Sequence, residues 1–410
     1  MSTPIQGLRG TGQFSGTEFR PRNYRELFTL LEPNGNAPLN ALLSMGSSES
    51  SNDPEIRLFR DELPERRMKI NMDTDSNDDG TNDSPIAAGV TSLTVDADDE
   101  NKFAIAGSII VNSRTGEVMR ATADTSGTTL TVTRNIGGTT HVIHDNDDLF
   151  IAGFAAQEGA DVATSVSFDA IMISNFLQIF RTSFSVTGTM QSTYLRTGDK
   201  EDESRIKALK MHMSDIERAM FFGIKTEDTS TAAQPLRTTG GLMNSLSNKY
   251  DISQANAGVN ANANKLTEEE FDLLLTETIF KFGSNSKIAF VGAKVANHLQ
   301  QIGKDRWQPT QVEGAYGVNL TRYSTFAGDL MVHLHPQFRQ IPGMDTAMIV
   351  VDFPYLVYRF LEGRDTQLLE DRQSPGADTR ISEYLTECGL ELTQDKVHAV
   401  IEGWSSRAAS

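Results

Sequence analysis

The stretch that decides the fold runs Ile171-Met-Ile-Ser-Asn-Phe-Leu-Gln-Ile-Phe-Arg181, then Phe184-Ser-Val-Thr-Gly-Thr189, then the charged run from Asp199 to Gly223. Period-two alternation at Phe184, Val186 and Gly188 predicts strand. From Asp199 onward the apolar residues change to helical spacing, at Ile206, Leu209, Met213, Ile216 and Met220. Asp199 suits an N-cap, and Glu201, Asp202 and Glu203 suit the positive end of a helix dipole. Glu201 with Arg205 and Glu203 with Lys207 are i,i+4 pairs with the acid N-terminal, worth a few tenths of a kcal/mol each. The spacing predicts one helix over 199–223, about 24 residues and roughly 36 Å long at 1.5 Å per residue. That is about twice the usual length of a globular helix. One narrow apolar stripe on an otherwise charged rod makes it a brace.

The bulk numbers bound what can lean on that brace. A chain of 410 residues is long enough for two or three cores. Lys plus Arg is 37 against 55 for Asp plus Glu, a net charge of −18. So acidic a wall repels phosphate and argues against a general nucleic-acid binder. Cys388 is the single cysteine, which excludes an intrachain disulfide. No window approaches ~18 apolar residues, so no membrane span is expected, and a standard secretory signal is not expected either.

In chain order, residues 1–22 predict an arm that orders only against something else. Asn23 with Glu26 resembles a capping box, and Tyr24, Leu27, Phe28 and Leu31 form one apolar face that must dock elsewhere. Residues 46–85 are polar and acidic. Within them Asp75, Asn77, Asp79 and Gly80 match positions one, three, five and six of a calcium loop, and Asp83 falls at position nine. Position twelve is Ile86, where a bidentate Glu should close the site, so a solvated acidic turn competes with a cation site. From Val90 to Phe154 short strands alternate with turns at Arg114-Thr-Gly116 and Thr125-Ser-Gly127, predicting a small sheet or partly closed barrel set apart from the rest. His141 and His144 at i,i+3 on an extended segment face opposite ways, which disfavours a shared metal.

Beyond the brace, the Thr-, Ser- and Asn-rich run 226–264 predicts a mobile flap. Thr267 with Glu270 is a capping box opening a helix whose face is Phe271, Leu274, Leu275, Thr278, Ile279 and Phe282, ended at Gly283. Lys287–Gly292 predicts a buried strand and 293–303 a helix, the nucleus of a second α/β lobe. Strands are predicted at 320–323, 330–334 and 348–352, with His333 and His335 on one strand face. The alternation at 387–392 and the run 398–401 predict a strand pair beside the brace. A nucleophile with its base, a P-loop, a zincin helix and paired catalytic carboxylates are all missing with the spacing they need, so no catalytic residue and no cofactor is assigned.

Several runs now resemble one family. They are Arg25-Glu-Leu-Phe-Thr-Leu-Leu-Glu-Pro-Asn-Gly-Asn-Ala-Pro-Leu-Asn-Ala-Leu42, Thr115-Gly-Glu-Val-Met119, Thr131-Val-Thr-Arg-Asn-Ile-Gly-Gly-Thr139, Ser174 to Thr189, and Asp215-Ile-Glu-Arg-Ala-Met220. In this order they are similar to a group of tailed-bacteriophage major capsid proteins. The resemblance implies an α+β fold of the Hong Kong 97 type. By that likeness 1–60 is the N-terminal arm and 61–157 the extended loop with a β-barrel-like insertion. Residues 158–223 and 361–403 form the peripheral domain, with the spine helix at 199–223, and 224–360 the axial domain. It also implies a homo-oligomer of hexamers and pentamers in a virion shell around double-stranded DNA, assembled in the host cytoplasm. Its partners are then a separate scaffolding protein, a portal and decoration proteins. An encapsulin-like nanocompartment shell and a calcium-dependent binding module built on 75–83 stand as alternatives. Deleting 1–45 is expected to leave a folded core and to weaken shell closure.

Overall fold

The structure, a computed structural model, describes Leu39 and residues 48–71, 86–96, 99–193, 200–230, 234–255, 261–302 and 321–405. The arm and helix read within 1–38, the loop with Asp75, Asn77, Asp79 and Asp83, and Asp199 as N-cap all lie outside these residues.

The strands of the first half are β1 (Ser48–Ser51), β2 (Glu55–Arg60), β3 (Arg67–Lys69), β4 (Ser92–Thr94), β5 (Ser108–Asn112), β6 (Val118–Ala121), β7 (Thr129–Thr133), β8 (Asp148–Phe154), β9 (Ile171–Phe176) and β10 (Gln178–Thr187). Then come a short helix α1 (Gly188–Ser192), the long α2 (Lys200–Phe222), the hairpin β11 (Thr226–Asp228) and β12 (Leu236–Thr238), α3 (Leu242–Ser245) and β13 (Lys249–Asp251). The rest is α4 (Glu268–Leu274), β14 (Ser286–Val291), α5 (Ala293–Ile302), β15 (Thr321–Ser324), β16 (Asp329–Leu334), β17 (Met348–Val351), β18 (Leu356–Leu361), β19 (Gln367–Leu369), β20 (Thr379–Leu392) and β21 (Ala399–Glu402). The chain divides into two compact units, Phe59–Met172 and the remainder.

The first unit is a six-stranded sheet in the order β3-β8-β5-β6-β7-β4. Its two end strands meet. Asn71 N–H donates to Thr94 O and Asp96 N–H to Lys69 O, both at 3.0 Å, flanking an Ile70–Val95 bridge. The sheet therefore closes into a barrel, which removes the exposed edges an open sheet offers to other chains. Inward positions alternate as period two requires: Ile110, Met119, Ala121, Leu130, Val132 and Leu149 are all buried. Gly116 (φ +70°) and Gly127 (φ +60°) occupy the left-handed positions at the predicted turns, where a Cβ would be strained. The three-residue β3 escaped the sequence reading because alternation needs more length than that to register.

The larger unit holds two sheets. The first has the order β1-β18-β20-β10, with β19 also on β20. The 14-residue β20 is its centre, antiparallel to β10 over Gln178–Thr187 and to β18 over Leu356–Phe360. One face of the sheet carries Phe180, Tyr358, Cys388, Leu390 and Leu392, which share a core with Ile216, Met220 and Phe221 of α2. The predicted brace is thus present over Lys200–Phe222, with Glu203 bonded to both Lys200 and Lys207. Its buried stripe differs from the one read in sequence. Ala208, His212, Ile216, Glu217, Met220 and Phe221 face inward, while Ile206 is exposed. Period alone assigned the stripe to the apolar residues, but the sheet supplies hydroxyl partners for His212, and polar partners hold Glu217 too. Glu201 pairs with Arg380 of β20 and not with Arg205 as expected.

The second sheet has the order β13-β21-β17-β14-β16-β15. Its core joins Ala289, Val291, Leu330, Met348 and Val350 to Phe271 and Leu274 of α4, Leu275 just after it, Val295 and Leu299 of α5, and Trp404. The capping box forms as read: Glu270 N–H donates to Thr267 Oγ1, and Thr267 N–H to Glu270 Oε2. Helix α4 passes into a π turn, Leu275–Ile279, and the chain turns at Gly283 with φ +88°.

Two expectations fail. Residues 226–264 are not simply a flap, because Leu242, Leu246 and Ile252 are buried and β13 pairs in parallel with β21. Their apolar residues are spaced among Asn and Ser, so neither helical nor strand period shows. The predicted C-terminal pair also parts company: β20 lies beneath the brace, while β21 joins the second sheet between β13 and β17.

Lys287 illustrates how this lobe is tied. Its side chain is fully buried and its ammonium donates to Ile279 O (2.6 Å), Phe282 O (2.8 Å) and Val397 O (2.6 Å). One of those carbonyls, Ile279 O, belongs to the last residue of the helical segment, where a cation is favoured. Burial pushes the group down from 10.5 to about 8, with Asp352 opposing. Between those values the unfolded chain binds the proton more tightly, so stability attributable to Lys287 rises with pH through that window and is flat below it. The unfolding free energy of the natural chain relative to Lys287→Met is expected to climb by up to about 3 kcal/mol from pH 8 to 10.5, since each pH unit across that window is worth ~1.4 kcal/mol. Denaturant titrations of the two proteins at several pH values measure it, and a constant difference would refute it.

Candidate assembly surfaces

Three kinds of polar or apolar grouping stand out once the sheets are placed, and each was hidden from a one-dimensional reading.

The first lies under the brace. Glu217 and His335 are buried, with His335 Nε2 at 2.9 Å from Glu217 Oε1. The same oxygen accepts Leu39 N–H at 2.8 Å, and the Leu39 side chain is buried in the core beside Phe221 and Phe338. The His335 ring stacks on Phe338 at 4.4 Å and meets Phe221 edge-on at 4.9 Å. His335 therefore does not share a strand face with His333. It caps the 3-10 turn Pro336–Arg339, accepting Gln337 N–H at Nδ1. Higher on the brace, His212 sits between Thr182 Oγ1 (3.0 Å) and Thr386 Oγ1 (2.7 Å), and burial lowers its affinity for a proton.

The second is the other face of the first sheet. Glu383, Glu387 and Glu391 recur every fourth residue, hence on one face of β20. Arg181 grips Glu383 through two nitrogens, at 2.7–3.1 Å. Arg364 reaches Glu387 at 2.6 Å, and Arg359 bridges Glu391 and Glu49 at 2.5 Å each. The arginine stems cover the acids, which are only 6 % exposed, while the guanidiniums stay at the surface. Asn175 locks this sheet to the end of the brace. Its side chain donates to Leu390 O (2.6 Å) and Gly240 O (3.1 Å) and accepts Gly240 N–H (2.7 Å). There Gly223 and Gly241 cross so closely that a Cβ on Gly223 would lie 2.3 Å from Thr239 O.

The third is exposed apolar surface. In the barrel unit, Phe59 is 75 % exposed, Leu63 85 %, Val162 99 % and Ile171 69 %. Phe59 and Ile171 belong to the paired strands β2 and β9. In the other unit Phe326 is fully exposed at the tip of the β15–β16 turn. That turn is rigid: Thr325 N–H donates to Gly328 O (2.9 Å), and Asp329 N–H to Asn285 O (2.8 Å). Apolar side chains held out on fixed backbone are contact surface waiting for a partner.

Within the barrel, Arg134 forks onto Glu117 with two bonds of 2.6 Å, both side chains almost fully buried. Arg114 forks onto Asp147 at 2.5 and 2.8 Å. Burial opposes charge on Glu117, yet the Arg134 fork and the His141 N–H hold its carboxyl below the usual range. Asp147 is held low against the same opposition by Arg114, Asn112 and the His144 N–H. His141 and His144 thus contribute backbone amides that anchor a loop. Among the described residues no group of three or more His, Cys, Asp or Glu is placed to hold a metal. Cys388 is buried and its thiol is pushed up to about 12 by burial, so it is no nucleophile at neutral pH. Among the described residues no helix is long and apolar enough to cross a membrane.

Comparison with known proteins gives these surfaces a context. The family model of the SU10 major capsid protein matches residues 9–405. The chain belongs to the SU10 major capsid protein family. It is a bacteriophage major capsid protein, a structural component of the virion. A similar protein is the major capsid protein of Pseudomonas phage PaMx41, 28% identical over 397 residues that cover 90% of this chain and 89% of that one. Among solved structures, the capsid of an empty GTA particle matches at a TM-score of 0.45 and 11% identity, covering 98% of this chain and 100% of that one. Mycobacterium phage Bobi matches at a TM-score of 0.42 and 10% identity, covering 94% and 96%. The family of this chain is one of structural capsid proteins.

Proposed function

We propose that the chain is a Hong Kong 97-type shell subunit that assembles into hexamers and pentamers and encloses double-stranded DNA. The observation that carries this is the set of exposed apolar residues Phe59, Leu63, Val162, Ile171 and Met172, which the subunit leaves uncovered on its own. Burying them against neighbouring copies supplies association energy in proportion to area. The net charge of −18 supports a wall that contains DNA without adhering to it. A scaffolding protein, a portal and decoration proteins are the partners this reading requires, with assembly in the host cytoplasm. The loop with Asp75, Asn77, Asp79 and Asp83 stays a proposed calcium site, tested by calcium titration calorimetry.

Electron microscopy of particles from cells expressing the chain with its scaffold tests the main reading. Closed polyhedra holding nuclease-resistant DNA once packaging proteins are present support it, and soluble monomers at high concentration refute it. Leu39 adds a refinement. Because it is buried in the core and bonded to Glu217, deletion of 1–45 is expected to cost stability as well as closure, whereas deletion of 1–37 keeps that contact. Thermal unfolding of the two truncations separates them; equal midpoints count against a role for Leu39.

A further inference from the structure

We propose that the C-terminal strand β21 is pinned by the neutral form of His398, so that acid releases this strand from the second sheet while the barrel holds.

His398 is fully buried and immediately precedes β21. Its Nδ1 accepts the backbone N–H of Asp352 at 3.0 Å, at the end of β17. A backbone N–H only donates, so Nδ1 must carry a lone pair there. Protonation puts N–H against N–H, breaks the bond and strands the Asp352 amide in the interior, where an unpaired donor is costly. Hydroxyl partners such as those of His212 can rotate and accept, and so do not impose this constraint.

Lys287, from β14, bonds Val397 O, next to His398 in the chain, so a second positive charge there meets the first. Asp352 itself is buried and already accepts Ser284 N–H (2.7 Å) and Ser284 Oγ–H (2.8 Å). The backbone carbonyl of Asp395 accepts the His398 N–H at 3.1 Å, and Asn248 donates to His398 O. Three residues beyond β21, Ser405 O lies 3.2 Å from His298 Nδ1, and His298 Nε2 accepts Leu266 N–H at 3.3 Å.

The barrel is built the other way. Its clasps are the buried Arg134–Glu117 fork and the Arg114–Asp147 fork, whose carboxyls stay ionised below their usual range. Stability from such groups is lost only as pH falls through those lowered values, well under pH 5. Between pH 7.5 and 5 the two parts of one chain respond differently.

Hydrogen–deuterium exchange of the full chain at pH 7.5 and 5.0, corrected for intrinsic exchange, reads this out. The opening of amides in Met348–Val351 and Ala399–Glu402 is expected to rise at least tenfold at pH 5.0, with Ser108–Asn112 and Thr129–Thr133 of the barrel unchanged. In His398→Asn the amide oxygen replaces Nδ1 as acceptor and cannot take up a proton, so the pH response of β21 disappears. Unchanged protection of β21 in the natural chain, or the same rise in His398→Asn, overturns the proposal. Should His398→Asn prove unfolded, the natural chain decides: a rise confined to β17 and β21 supports the pin, and a uniform rise across the whole second sheet overturns it.

Discussion

Serine at Phe59, Ile171 and Met172 together is expected to cut the yield of closed shells at least tenfold while the subunit stays folded. These side chains are exposed on the isolated chain, so their loss removes little from its own core, and surface changes of this kind cost within about 0.5 kcal/mol each. Their worth lies in association. Fully burying one large apolar side chain is worth about 1.5–3 kcal/mol. Three per subunit, repeated over every contact in a shell, exceed the ~1.4 kcal/mol that changes an equilibrium tenfold. Sedimentation of assembly reactions measures shell yield, and circular dichroism melting measures the fold. Normal shells from the triple variant would remove these residues from the interface; a large drop in melting temperature would make them core residues.

Glu117→Ala is expected to destabilise the barrel by about 3–5 kcal/mol, because it leaves the Arg134 guanidinium buried without its carboxylate. Arg134 also holds the loop that follows it, donating to His141 O at 2.5 Å, so the loop loosens with it. Replacing both partners, Glu117→Leu with Arg134→Met, is expected to recover most of the loss, since the desolvation cost of two ions disappears with their attraction. Exchange protection at Thr129–Thr133 separates the single from the double variant. If Glu117→Ala leaves that protection intact, the fork is not what holds the barrel.

The brace and the barrel strands were legible because their signals are local: charges at one helix end, apolar spacing, and glycine at turns that need a positive φ. The family likeness, carried by runs such as Ser174–Thr189, was legible for the same reason, and the family model spans nearly all of the chain. What escaped depends on partners distant in sequence. Nothing near His212 announces Thr182 and Thr386, and Glu217 reads as one more surface acid until His335 and Leu39 are brought to it. The inward turn of Ala208 in place of Ile206 has the same origin, since the sheet decides which stripe of the helix it covers. Among the candidate surfaces, a sequence shows that Phe326 is aromatic but not that a rigid turn holds it in solvent. The alternation at 387–392 was in view, but not Glu383 beside it, nor the arginines that face these acids from β10, β18 and the turn after β18.

The chain leaves for the barrel along β2 and returns along β9, and those two strands are hydrogen-bonded to each other. Outgoing and incoming ends are thus held side by side, as at the mouth of a socket. Because the barrel also owns its whole apolar interior, the cores of the two larger sheets do not draw on it. A foreign domain whose own ends lie close together could be spliced between these strands without rewiring either sheet of the parent, which makes this the natural place to mount cargo or display modules on a particle.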